Sequence, residues 1–204
     1  MVAIVDYGMA NLRSVQKAFE LQGHEARIIS TPEEVREAER LVVPGVGAFC
    51  DAIKVLKETG LAEAIREFVG TGRPMLGICL GLQLLMEMGY EDGEHEGMKI
   101  IAGDCVRFTV DEEPLKLKVP HMGWNALRWT REVPLFKGLE QGCYVYFVHS
   151  YHVRPKDAGV IACTAEYGHE FVAGVWKDNV MATQFHPEKS QAVGSVMLRN
   201  FAEM

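Results

Sequence analysis

Long apolar runs are missing from this 204-residue chain. None approaches the roughly 18 apolar residues that a membrane span requires, and Val2 to Val5 is followed at once by Asp6, unlike a secretory leader. Cysteine pairs are missing as well. Cys50, Cys79, Cys105, Cys143 and Cys163 are odd in number, widely spaced and without a C-x-x-C pair, which argues against a disulfide framework and a cysteine zinc site. Reduced thiols fit the cytosol. Positive charge is in deficit: 21 Lys and Arg against 28 Asp and Glu leave a formal charge of -7, which argues against nucleic acid or an anionic membrane as main partner. His149 and His152 form an H-x-x-H without further ligands at metal-site spacing. Repeats, low-complexity segments and linkers are also lacking. The length accommodates one α/β domain over 1–204 but not two, and the hydrophobic and charged fractions are those of a soluble globular protein.

Strand and helix patterns alternate through the first half. Val2 to Asp6 reads as a buried strand, and Leu12, Val15, Ala18 and Phe19 then recur at helical spacing up to Gly23. Ala26 to Ile29 and Leu41 to Val43 are short apolar runs separated by the polar, helix-favouring stretch from Pro32 to Arg40. Leu61, Ile65, Phe68 and Val69 predict a helix closed by Gly70 and Gly72, ahead of a strand from Pro74 to Ile78. This order implies parallel strands covered by helices, with working residues at the strands' carboxyl ends. Strands are then expected within Lys99–Phe108, Tyr144–His149, Val160–Ala165, Phe171–Trp176 and Val180–Phe185, and helical spacing returns only at Val193, Val196, Met197 and Phe201. The fold class is therefore α/β, a mostly parallel central sheet with an antiparallel extension. Tyr90 to Gly97 reads as an acidic, solvated loop.

Gly77-Ile78-Cys79-Leu80-Gly81 concentrates the chemistry. It sets a thiol between two glycines where the strand hands over to a helix carrying Leu82, Leu85 and Met86, the build of a nucleophile elbow. A small buried cysteine in a Gly-rich turn is the competing reading, and packing is the favoured role for Cys105, Cys143 and Cys163. An unassisted thiol is only about 3% thiolate at pH 7, and a helix N-terminus contributes roughly 0.3–1 kcal/mol to an anion, so a basic partner is needed. His186 ends an apolar run and is followed by Pro187 and Glu188. In extended backbone residues two apart share a side, which lets the Glu188 carboxylate reach the imidazole and set its tautomer. Cys79, His186 and Glu188 then become nucleophile, acid/base and orienter. Pro44-Gly45-Val46-Gly47 follows a neighbouring strand, so the Val46 or Gly47 amide, together with Leu80 N–H, is the expected oxyanion donor pair; a plain Gly-containing turn competes, as does a phosphate loop, though no G-K-[ST] follows.

These residues resemble the class I glutamine amidotransferases, whose two signatures match Gly77 to Gln83 and His186 to Glu188 in order and approximate separation. The likeness covers essentially the whole chain. Asp6 to Asn11, Pro120 to Asn125 and Tyr146 to Tyr151 further resemble the family branch that serves as glutaminase of imidazole glycerol phosphate synthase; Met9-Ala10 departs from its usual small residues. The resemblance implies a flavodoxin-like three-layer sandwich, and glutamine hydrolysed to glutamate and ammonia through a Cys79 thioester, with no metal or organic cofactor. It implies substrate contacts from Gly45, Gln83, Ser150 and Tyr151. It also implies that ammonia passes to a (β/α)8-barrel cyclase subunit in histidine biosynthesis, with Asn11, Trp124, Tyr146 and Lys189 facing that partner. Packing for Trp124, helix capping for Asn11 and a solvated charge for Lys189 are the alternatives.

Overall fold

Val2 and Ile4 turn to one face of the first strand and Ala3 and Val5 to the other, and all four are buried. A strand with apolar residues on both faces belongs in the middle of a covered sheet. The computed structural model describes residues 1–204 and places β1 (Val2–Val5) between β2 (Ala26–Ile29) and β3 (Arg40–Gly45), with β4 (Met75–Cys79) beyond β3, all parallel. The connections are α1 (Leu12–Glu20), α2 (Pro32–Glu37), α3 (Phe49–Glu58) and α4 (Leu61–Gly70). α2 starts where Thr31 and Glu34 cap each other reciprocally, Glu34 N–H donating to Thr31 Oγ1 at 3.3 Å and Thr31 N–H to the Glu34 carboxylate at 3.2 Å.

After Cys79 comes α5 (Leu80–Leu84), then β5 (Met88–Gly89), β6 (His95–Glu96) and β7 (Gly103–Arg107). β8 (His121–Ala126) and β9 (Tyr144–His149) form a separate antiparallel ribbon. The chain continues through β10 (Tyr151–Pro155), β11 (Ile161–Tyr167), β12 (His169–Lys177) and β13 (Val180–Thr183) to α6 (Gln191–Ala202). β13 lies parallel to β4 on one side and antiparallel to β12 on the other, so it joins the two halves of an 11-stranded sheet. The parallel half, counting β13 as its fifth strand, has the 2-1-3-4-5 order of flavodoxin-like sheets. One core of buried residues packs α3 and α4 on one face through Phe49, Leu56, Ile65 and Phe68. The other seats α1, α6 and the ribbon through Phe19, Phe147, Met197 and Phe201. Gly45, Cys79 and the residues after Thr183 therefore emerge at one edge.

Two expectations require correction. The helix after Cys79 ends at Leu84 although Leu85 and Met86 fit its period, and the strand expected from Lys99 begins only at Gly103. Both departures have one cause: the amides of Met98, Ile100 and Ile101 donate to the carbonyls of Leu84 and Leu85 at 2.8–3.0 Å, capping α5 and keeping 98–101 out of the sheet. The stretch 90–97 also does more than face solvent. It contains β6, and the Glu91 carboxylate accepts the first amide of α3, Phe49 N–H, at 2.6 Å.

Candidate active site

Cys79 sits at the strand-to-helix turn with φ 54° and ψ -105°, a conformation that costs a non-glycine residue energy and persists only where its surroundings impose it. The imposition comes from close backbone contact. A Cβ on Gly81 would lie 1.9 Å from the Val43 carbonyl oxygen, so only glycine lets α5 approach β3 this closely. The thiol is held within a cavity of about 290 Å³, the scale of a small ligand, rather than standing free of the sheet edge. Cys79 Sγ lies 4.0 Å from the Val148 carbonyl oxygen and 3.7 Å from Gln184 Nε2, which donates to it. Burial pushes the thiols of Cys105 and Cys163 well above the ordinary range, as suits packing.

His186 follows β13 and faces the same cavity. Its Nδ1–H donates to Glu188 Oε1 at 2.8 Å, both side chains being almost wholly buried. The pairing matches the expectation but its geometry does not, because 187–189 form a 3-10 turn instead of continuing the strand. With Nδ1 committed, Nε2 is the nitrogen left for the thiol, and in this structure it makes no hydrogen bond. Burial works against an imidazolium here, but Cys79 and Glu188 more than offset it, and the imidazole is pushed up to about 10. The sequence reading passed over Ser190 as a functional residue. Its hydroxyl donates to the His186 carbonyl at 2.7 Å and accepts Tyr146 N–H at 3.0 Å, while His186 N–H donates to Tyr146 O at 3.0 Å, locking the base to β9.

Val46, Gly47, Leu80, Gln83, Ser150 and Tyr151 all reach the cavity wall. Gly45 does not. It lies beneath the wall, where a Cβ would meet the Tyr7 hydroxyl at 2.1 Å and Leu80 Cβ at 2.9 Å, and that hydroxyl donates to Pro44 O at 2.8 Å. The Val46 amide, expected at an oxyanion, is engaged elsewhere: it donates to the Met9 carbonyl at 2.8 Å. Gln83 Nε2 donates to Tyr151 O at 3.2 Å and to Gln184 Oε1 at 3.3 Å, which leaves its own oxygen for a ligand donor. Glu91, Pro120, Val148 and His149 complete the wall and were missed. Pro120, Val148 and His149 fall within the stretches Pro120 to Asn125 and Tyr146 to Tyr151 that carry the family resemblance, and Glu91 among the acidic residues of 90–97. A larger cleft of about 580 Å³ between Trp129 and Trp176 is lined by no cysteine, serine, threonine or histidine.

The four residues expected at a partner surface lie outside this wall. Trp124 and Tyr146 are register partners on the ribbon's outer face, their rings 6.1 Å apart and edge-on. With Met122 and Tyr144 they make an exposed apolar stripe, Trp124 being 45% and Met122 63% accessible. Asn11 stands at the N-cap of α1 but its side chain makes no cap bond, and Lys189 is exposed. Behind the stripe, His149 Nδ1–H donates to Tyr151 O at 2.8 Å and His149 Nε2 accepts from His121 Nδ1 at 3.0 Å. Burial pushes His149 down to about 3 and His121 to about 4, keeping both neutral. No group of three or more His, Cys, Asp or Glu is arranged to hold a metal ion.

Residues 3–204 match the family model for class-I glutamine amidotransferases. The chain belongs to the class I glutamine amidotransferase family. Among curated relatives of this amidotransferase, the imidazole glycerol phosphate synthase subunit HisH of Syntrophotalea carbinolica is 56% identical over 206 residues, covering 100% of both chains. The subunit of the same name from Geobacter sulfurreducens is 53% identical over 100% of this chain and 98% of its own, and that of Rhodopirellula baltica 52% over 99% and 97%. In fold, the amidotransferase resembles a solved glutamine amidotransferase at TM-score 0.75 and 21% identity, covering 100% and 98% of the two chains. It also resembles PurLQS from Thermotoga maritima at TM-score 0.77 and 17% identity, covering 99% and 97%.

Proposed function

We propose that the chain is the glutaminase subunit of imidazole glycerol phosphate synthase in histidine biosynthesis, one amidotransferase domain over 1–204 working in the cytosol. The observation that carries this reading is the cavity in which Cys79, strained at its elbow, shares a wall with an imidazole buttressed by Glu188. Cys79 gives its proton to His186 Nε2 and attacks the side-chain carbonyl carbon of glutamine. The tetrahedral oxyanion takes a hydrogen bond from Leu80 N–H and a second from the 45–47 loop. His186 returns the proton to the departing ammonia, and a water deprotonated by the same nitrogen hydrolyses the thioester to glutamate. The free oxygen of Gln83 and the carboxylate of Glu91 suit the α-ammonium of glutamine, with Ser150 and Tyr151 beside its carboxylate. This acyl chemistry calls on no cofactor.

With the Val46 amide held by Met9, the loop leaves the Gly47 amide as the second donor, and release of Val46 is a step that a partner subunit can control. The partner proposed is a (β/α)8-barrel cyclase subunit that receives the ammonia. The Met122–Trp124–Tyr144–Tyr146 stripe suits its docking, because the backbone of Tyr146 bonds both His186 and Ser190. Asn11 and Lys189 are assigned to the same face. No helix is long and apolar enough to cross a membrane. The test is a glutaminase assay of the chain alone, with the cyclase, and with the cyclase and its nucleotide. A slow rate alone that rises in the complex is expected; full speed alone, with no effect of the cyclase, removes the subunit assignment.

A further inference from the structure

Gln184 follows β13 two residues before His186, and it is completely buried, 0% accessible. An amide in such a place is costly unless its hydrogen bonds are made, and an apolar residue of similar size would fill the space without that cost. Its two ends have specific partners. Gln184 Oε1 accepts from Gln83 Nε2 at 3.3 Å, and Gln184 Nε2 donates to Cys79 Sγ at 3.7 Å. The direction of this chain is set by the Tyr151 carbonyl, which can only accept and so turns Gln83 Nε2 toward itself at 3.2 Å. The oxygen of Gln184 must then face Gln83 and its nitrogen the sulfur.

The second neighbour of the sulfur is the Val148 carbonyl oxygen at 4.0 Å, also an acceptor only. It suits a thiol, which has a proton to give, and opposes a thiolate. Gln184 is the converse: its N–H suits the anion. We propose that Gln184 is a further catalytic residue of the glutaminase, its carboxamide N–H stabilising the Cys79 sulfur whenever that sulfur carries charge. This happens twice per turnover. Before attack, the thiol proton has moved to His186 Nε2 and the electron pair stays on sulfur. In thioester hydrolysis, the carbon–sulfur bond breaks and the pair returns to sulfur as glutamate leaves. The proposal rests on the reading of Cys79 as nucleophile.

The experiment is iodoacetamide labelling of the full chain in its complex, located by peptide mass and followed against pH, beside glutamine turnover. Gln184→Met keeps the length and removes the donor; Gln184→Glu keeps the shape and, ionised, cannot donate. In both variants labelling of Cys79 at pH 7 is expected to slow about tenfold and its pH profile to move alkaline, the size of one hydrogen bond to a charged atom. Turnover should lose kcat about tenfold with KM within about threefold, the signature of an interaction absent from substrate binding. Labelling within about twofold of the unsubstituted chain at every pH, whether or not kcat falls, overturns the proposal, since packing loss alone does not move a thiol's profile. If Q184M is insoluble, Gln184→Leu, which removes the donor without adding charge, decides. Absence of labelling at Cys79 in the unsubstituted chain removes the nucleophile itself, and the role of Gln184 with it.

Discussion

His186 carries two opposite demands, burial that disfavours its charge and two neighbours that favour it, and the neighbours prevail. A base raised from 6.5 to about 10 binds its proton more tightly folded than unfolded. Its stabilisation is therefore complete below about pH 6.5 and is lost as pH rises through about 10. The melting temperature should accordingly fall on the alkaline side more steeply in the parent chain than in a Glu188→Gln variant. That variant should also lose kcat by about 100-fold or more, because a mis-set tautomer disables the base. The buried pair His121 and His149 works in the other direction. Lowered from 6.5 to about 4 and about 3, these rings make the protein less stable as pH falls from about 6.5 toward those values. Melting curves at pH 7 and pH 5 should differ less in His121→Phe than in the parent. Cys79 and His186 share the cavity that their motifs led one to expect, and H-P-E sets the Glu188 carboxylate on the imidazole locally. Gln184, Glu91 and the bond from Ser190 to β9 were not legible, because the partners Cys79, Phe49 and Tyr146 lie 105, 42 and 44 positions away.

At the scale of elements, the elbow depends on how closely α5 approaches β3. Gly81→Ala would put a methyl 1.9 Å from the Val43 carbonyl oxygen, and the helix must shift. A loss of about 1–3 kcal/mol in chemical denaturation is expected, with glutaminase kcat falling further than stability alone explains because Leu80 N–H moves with the helix. The strands of the first half and helices α1 and α4 followed from periodicity, whereas α3 was not anticipated, and β2 and β9 were delimited to the residue. The truncated α5 and the late start of β7 were not readable, since their cause is a set of amides from 98–101 reaching back to Leu84 and Leu85. The engaged Val46 amide was equally hidden. Pro44 to Gly47 announces a loop that can present amides, but which one is free depends on Met9, in a different loop.

On the scale of the whole molecule, the sheet's mixed order puts the ends of β3, β4 and β13 at one edge, and the ribbon closes over them. The outer face of that ribbon is then both apolar and bonded, through the Tyr146 backbone, to His186, the proposed base. Trp124→Ala should weaken binding of the cyclase by about 2 kcal/mol, as for a buried aromatic anchor, while leaving covalent labelling of Cys79 by a glutamine-like affinity reagent intact; titration of the complex reads the first and mass spectrometry the second. The central claim is that Cys79 produces ammonia for a reaction completed in another subunit. The most direct measurement is product synthesis by the complex bearing Cys79→Ala, fed either glutamine or ammonium salt. Synthesis should vanish with glutamine and persist with ammonium. Retained synthesis from glutamine, or loss of both, would contradict the account.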